Sequence, residues 1–167
     1  MEFISLHNHS DYSILSATSS VSDILNAAKK ANQNAVAITD NNSLASAWIA
    51  YKEAKKIGIK YIVGLEISFT DDNSNKEDML RSIILLAKNA VGYSNLLKIN
   101  KEGFENGIVN AKKAIPVCDW KLLEKYNEGI ILLTGGGTGI LSHAISSYDS
   151  EKTESIALRL KEIFKEN

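Results

Sequence analysis

Near the start of the chain stands the stretch Leu6-His7-Asn8-His9-Ser10-Asp11-Tyr12-Ser13, which follows the apolar run Phe3-Ile4-Ser5-Leu6. The apolar run predicts a first strand, and side chains alternate between the two faces of a strand. His7 and His9 should therefore project to one side, and Asp11 can follow them if the extended geometry persists. Imidazole nitrogens and carboxylate oxygens suit zinc or a similar divalent ion. The spacing fits half of a metal site, and it equally fits ordinary polar residues at the mouth of a strand.

Length and composition bound the function classes. A chain of 167 residues is the size of one domain, and 44% hydrophobic with 23% charged residues is typical of a globular protein. Cys118 is the one cysteine, which excludes an intrachain disulfide and favours a reducing cytoplasm. Met1-Glu2 leads directly into the apolar run, so we expect no export signal. A net charge of −1 without a basic run argues against this chain providing the main DNA-binding surface.

Apolar periodicity predicts strands that alternate with helices. Ser20 and Asp23 have the spacing of a capping box, which places a helix start at Val21. The predicted strands are 3–6, 35–40, 60–68, 82–88 and 130–134, and the predicted helices are 21–32, 44–57, a stretch beginning near 93, 120–126 and 150–165. This alternation indicates βαβ units and a mostly parallel sheet.

In such sheets, functional sites form at the carboxyl ends of the strands. His7 and His9 end the first predicted strand, Asp40 ends the second, and Glu66 lies near the end of the third. Gly64 shares the face of Glu66 and is expected to leave space there for a ligand or ion. The alternative is that Asp40 and Glu66 are helix caps and rim charges.

Two other features have more ordinary interpretations. The glycines from Gly135 to Gly139 lack the Lys-Ser/Thr of a P-loop, so a tight strand-to-helix turn is favoured over a phosphate cradle. Trp48 and Trp120 are expected in the cores of their helices rather than as base-stacking platforms.

Several ordered blocks together resemble a known family. They are Phe3 to Ser13, Ala37-Ile38-Thr39-Asp40, Val63-Gly64-Leu65-Glu66, Leu85 to Asn89 with Gly92-Tyr93 and Asn95-Leu96, Asn127 to Gly136, and Ala157 to Phe164. This set is similar to the PHP (polymerase and histidinol phosphatase) domain, above all to the PHP domains at the N-terminus of bacterial DNA polymerase III alpha subunits. The resemblance spans nearly the whole of 1–167.

The resemblance implies a distorted, TIM-like seven-stranded βα barrel with a polynuclear metal site at the strand carboxyl ends. Residue by residue, His7, His9 and Glu66 stand at ligand positions, and Asp11 and Asp40 match acidic positions. Other ligand positions differ: Asn41 and Ser82 stand where metal-binding members have His, and Gly136 stands where they have Cys. The remaining family ligands would follow residue 167. The implied site is vestigial, with at most one zinc or manganese ion.

Two hypotheses follow. In the first, the chain is the PHP domain, cut before its last strands, of a DNA-directed DNA polymerase (a nucleotidyltransferase). It would be inactive alone, would dock the proofreading 3′-5′ exonuclease subunit, would brace the rest of the alpha subunit, and would meet DNA only through the holoenzyme. In the second, it is itself a metal-dependent phosphoesterase or exonuclease.

Five strands of a seven-stranded barrel would leave an open sheet or a self-associated one.

Overall fold

The computed structural model describes residues 3–71, 80–110 and 113–165. A mixed sheet carries helices on its outer face. The strands are β1 (Ala35–Ile38), β2 (Lys60–Phe69), β3 (Arg81–Ala87), β4 (Ile108–Asn110), β5 (Lys113–Ile115), β6 (Val117–Cys118) and β7 (Ile130–Leu133). The helices are α1 (Val21–Lys30), α2 (Ala47–Ile57), α3 (Ala90–Glu105), α4 (Trp120–Tyr126), α5 (Ile140–Ser146) and α6 (Ser150–Phe164), with a 3-10 turn at Gly136–Thr138. Among these residues, no helix has the length and apolar character needed to cross a membrane.

The sheet has the order β1-β2-β3-β7, and β6 adds to β2. β1 and β6 are parallel to β2, but β3 is antiparallel to both β2 and β7. The prediction of mostly parallel strands is therefore wrong at β3. The connection between β2 and β3 spans only residues 70–80, and a parallel neighbour needs a crossover of about a dozen residues or more, whereas an antiparallel pair does not. The polar residues from Asp71 to Asn75 predict a solvated turn, and beyond Asp71 this segment lies outside the described residues.

The carboxyl ends of β1, β2 and β7 lie at the same edge as the start of β3. Glu66 of β2 pairs with Ile84, and Ser68 pairs with Ser82 at the beginning of β3. This edge is where the sequence placed the site. Within the described residues the sheet does not close on itself, since β1 and β7 stand at opposite ends of the strand order.

The first predicted strand is wrong as a regular strand. Residues 3–9 run beside β1, yet they form only one isolated parallel bridge there, between Ser5 and Val36. Side chains replace part of the backbone-to-backbone hydrogen bonding of a regular strand. The Ser5 amide donates to Gln33 Oε1, and Asn8 Nδ2 donates to the Ala37 carbonyl. The segment still follows β1, because the Thr39 amide donates to the Asn8 carbonyl.

Most helix predictions are confirmed. α1 has the predicted capping box, with Ser20 and Asp23 exchanging side-chain and backbone hydrogen bonds. Trp120 is buried as expected, but Trp48 is 66% exposed, which makes its core assignment wrong. The short β4-β5 hairpin and α5 were not predicted, because runs of three strand residues or two helical turns carry too little periodicity.

Three apolar clusters hold the elements together. One lies between the outer face of β2 and β3 and helices α3 to α6, and it includes Phe69, Leu96 and Leu123. A second joins β1 to α1 and α2. The third, smaller cluster covers the inner face of the sheet around Ala37, Ile84 and Leu86, and half-buried Ile62, Ile131 and Leu133 extend it.

Candidate metal centre

Two histidines and one glutamate converge at the site edge of the sheet. His7 Nε2 lies 2.6 Å from Glu66 Oε2, and His9 Nε2 lies 2.7 Å from the same oxygen. The two Nε2 atoms are 3.2 Å apart. Among the described residues, these three form a group whose ligand atoms all lie within 4.8 Å of one another. The carboxylate oxygen and the two ring nitrogens therefore face a common point.

The fold brings these residues together through backbone pairing. The segment that carries His7 and His9 is held to β1, and β1 is the parallel neighbour of β2. Beyond β1, Asn41 forms an isolated parallel bridge with Glu66, and the Glu66 amide donates to the Asp40 carbonyl. Residues 59 apart in sequence thus meet because three neighbouring chain segments run in one direction.

Hydrogen bonding sets the charge state of the cluster. The hydrogen bond to Glu66 raises the pKa of His9, and partial burial offsets only part of that rise. Burial alone would raise the pKa of Glu66, but the hydrogen bonds from His9 and His7 together lower it. Near pH 6 the arrangement therefore favours an imidazolium beside a carboxylate, as in any partly buried ion pair.

Asp11 does not join the cluster. The extended geometry ends at Ser10, since the Ser13 amide donates to the Ser10 carbonyl in a turn. Asp11 is exposed in that turn, with its amide bonded to the Ser19 carbonyl. Asp11 was expected beside the histidines only if the backbone stayed extended, and it does not. The role of Asp11 as a ligand stays an untested prediction.

Asp40 is close to the cluster but faces a different set of partners. Asn41 pairs with Glu66, so Asp40, one residue earlier, points toward the opposite face. Its buried carboxylate accepts hydrogen bonds from the Ser10 amide and from the hydroxyls of Ser10, Ser13 and Ser46. The geometry makes Asp40 the anchor of the loop that follows His9. The role of these three serines was not predicted: Ser10 and Ser13 stand close after the histidines, but Ser46 carried no signal in the sequence.

The positions that depart from the family pattern lie around the same edge. Asn41 Nδ2 is 3.5 Å from His9 Nδ1. The Ser82 hydroxyl is 3.0 Å from the Thr138 hydroxyl, and Ser82 also bridges Gly139 by backbone pairing. Gly136 has a φ of 59°, the left-handed conformation. These positions carry an amide, a hydroxyl and no side chain, so they add no strong metal donor.

Gly64 does not leave the space that the sequence suggested. A Cβ atom there would lie 2.5 Å from Thr39 Cγ2 and 2.8 Å from Leu86 Cδ2. The glycine instead allows close packing on the inner face of the sheet, two residues before Glu66.

Comparison with known proteins identifies the family of this chain. The family model described as the PHP domain matches residues 5–167. The chain belongs to the PHP domain family. DNA polymerase III subunit alpha of Borreliella burgdorferi is 39% identical over 168 residues, which cover 97% of this chain and 14% of that protein. The corresponding subunit of Bacillus subtilis is 32% identical, over 98% of this chain and 14% of its own length.

The PHP chain therefore spans about one seventh of the curated relatives that it matches. Among solved structures, an amidohydrolase from Chromobacterium violaceum aligns with 95% of this chain and 49% of its own, at 16% identity and a TM-score of 0.43.

The donor set of this PHP chain fits one ion better than several. Two imidazoles and a carboxylate are a usual protein ligand set for a single zinc ion, whose fourth position stays open. A polynuclear centre needs further strong donors, and at Asn41, Ser82 and Gly136 the chain has none. His7, His9 and Glu66 are thus the residues that would hold an ion.

Proposed function

We propose that this chain is the PHP domain of a bacterial replicative DNA polymerase alpha subunit and serves there as a scaffold. It would complete the family's seven-stranded barrel together with further chain, brace the polymerase, and dock the proofreading exonuclease subunit in the cytoplasm. DNA synthesis and contact with DNA would belong to the rest of the holoenzyme. The similarity to alpha subunits along nearly the whole chain supports this assignment.

One observation carries the choice of a scaffold over an enzyme. Three donors converge, while the three neighbouring family ligand positions carry Asn41, Ser82 and Gly136. Phosphoester hydrolysis by PHP-type centres depends on metal ions that activate water and stabilise the charge on phosphate. A centre with no strong donor at these three positions lacks part of the ligand set that such a reaction uses.

The test mixes the purified chain with the exonuclease subunit encoded by the same genome. We expect co-elution in size-exclusion chromatography and no turnover of p-nitrophenyl phosphate or of a 3′-labelled oligonucleotide with added manganese or zinc. Separate elution of the two proteins would contradict the scaffold.

The convergence of His7, His9 and Glu66 favours a second candidate, a mononuclear metal-dependent phosphoesterase. A bound ion would supply activated water, and the two imidazoles and the carboxylate would hold that ion. Turnover that disappears in His9→Ala and persists in His143→Ala would establish this candidate. His143 is a suitable matched control because it is the one histidine outside the cluster.

A further inference from the structure

A groove lies between α2 and α3. It separates the apolar cluster that joins β1 to α1 and α2 from the cluster that packs β2 and β3 against α3 to α6. Trp48 and Tyr51 of α2 line one wall, Tyr93 of α3 lines the other, and Tyr61 and Val63 of β2 lie between them. The cavity has a volume of about 580 Å³. This size is within the range of pockets that accept a ligand or a large anchoring side chain.

The two helices that flank the groove pack in different apolar clusters. α2 packs in one cluster through Ala50 and Ala54, and α3 packs in the other through Leu96 and Ile99. The groove lies between them, beside the antiparallel pair of β2 and β3.

Its aromatic residues are of the kind that dominate protein interfaces. Trp48 is 66% exposed and Tyr51 is 50% exposed. Their rings stack with centroids 5.9 Å apart and an interplanar angle of 24°, so the pair presents a preformed surface. Exposed Trp and Tyr beside a pocket are frequent hot spots of binding energy.

The charge of the groove selects the partner. Its charged lining residues are Lys60 and Lys88, and no Asp or Glu lines it among the described residues. Lys52 Nζ lies 5.6 Å from the centroid of the Trp48 ring, which adds a third cation at the rim. The chain as a whole carries −1, so this cationic character is local.

We propose that the groove docks a short acidic segment of a partner protein, which inserts a large apolar side chain into the cavity. This inference rests on the proposed scaffold function, because it gives that scaffold a docking surface. Single-stranded DNA also binds aromatic and basic surfaces. A peptide fits better here, because the floor of the groove between the two helices carries the apolar side chain of Val63, which offers nothing to a sugar-phosphate backbone.

The test selects peptides from a random 12-residue display library on the immobilised chain and measures the affinity of the enriched peptides by fluorescence anisotropy. We expect enriched sequences with a Phe, Trp, Leu or Met flanked by Asp or Glu. Trp48→Ala and Lys60→Glu should each weaken binding at least tenfold. Leu158→Ala and Lys121→Glu are matched controls outside the groove, and circular dichroism verifies that all four variants fold.

Three outcomes would overturn the proposal. They are no enrichment, peptides whose binding the Trp48 and Lys60 variants leave unchanged, and a labelled oligothymidine that binds wild type and loses its binding in Trp48→Ala. Co-elution with the exonuclease subunit without peptide enrichment would refute the groove alone and leave the scaffold function standing.

Discussion

At the scale of single residues, Asp40 links the loop after His9 to β1 and α2. Its buried carboxylate accepts from one amide and three serine hydroxyls. In Asp40→Asn, one acceptor oxygen becomes an NH₂ group, which cannot accept the hydrogen bond that a serine hydroxyl donates there. We expect the free energy of unfolding to fall by about 2 to 3 kcal/mol, measured by urea denaturation.

Asp11→Asn is the matched control for this change. Asp11 is exposed, and surface substitutions usually change stability by less than about 0.5 kcal/mol. Equal stability losses in the two variants would contradict the anchoring role of Asp40.

The His9 and Glu66 pair gives a pH-dependent prediction. The pKa of His9 is raised from 6.5, so its contribution is present below pH 6.5 and is lost as pH rises through the folded-state value. The pKa of Glu66 is lowered from 4.5, so its contribution is present above pH 4.5 and is lost as pH falls through the folded-state value. The stability difference between wild type and Glu66→Gln should therefore be greatest between pH 4.5 and 6.5.

We expect that greatest difference to be about 1 kcal/mol, because the cluster is partly exposed to solvent. Thermal unfolding across pH 4 to 9 in the presence of a chelator measures it. A difference that is constant over this range would show that the pair does not ionise in this way.

The sequence predicted which residues meet at the site for some potential metal ligands and not for others. The reason is the alternation of side chains along a strand. His7, His9 and Glu66 meet as the spacing predicted. Asp40 was placed in the same site because it ends the strand, but only the register of Asn41 against Glu66 shows that Asp40 faces the other way. The backbone turns at Ser10, so Asp11 does not continue the extended segment, and nothing in the local sequence indicated where that segment would end. The role of Asp11 as a ligand stays a prediction.

At the scale of elements, α3 begins against the turn that precedes β7. A Cβ atom on Gly92 would lie 1.9 Å from the Gly129 carbonyl oxygen. Gly92→Ala should therefore push the start of α3 away from the turn and destabilise the chain by more than about 2 kcal/mol, as overpacking does. Gly137→Ala, which meets nothing within 4 Å, is the control for this calorimetric comparison. Similar melting temperatures for the two variants would refute this contact.

Element types were easier to predict from sequence than element directions. Capping and apolar spacing placed α1, α4 and α6 within a few residues, because those signals are local. The antiparallel direction of β3 depends on a connection that carries no strong pattern of its own. Helical spacing placed Trp48 in the core, but its side chain lines the groove and is 66% exposed.

At the scale of the molecule, the described sheet leaves β7 at one end with half-buried inner residues such as Leu133. Unpaired edges and uncovered apolar faces promote association. Multi-angle light scattering should show a mass that rises with concentration, and Leu133→Lys should reduce the rise while Leu158→Lys should not. A monomer at every concentration would contradict this prediction.

The most direct test of a degenerate centre is the number of metal ions bound per chain. The chain is equilibrated with manganese or zinc, passed through a desalting column and measured by inductively coupled plasma mass spectrometry, with phosphoesterase activity recorded on the same sample. We predict no more than one equivalent, lost in His9→Ala and kept in His143→Ala, without turnover. Two or more equivalents accompanied by turnover would contradict the account.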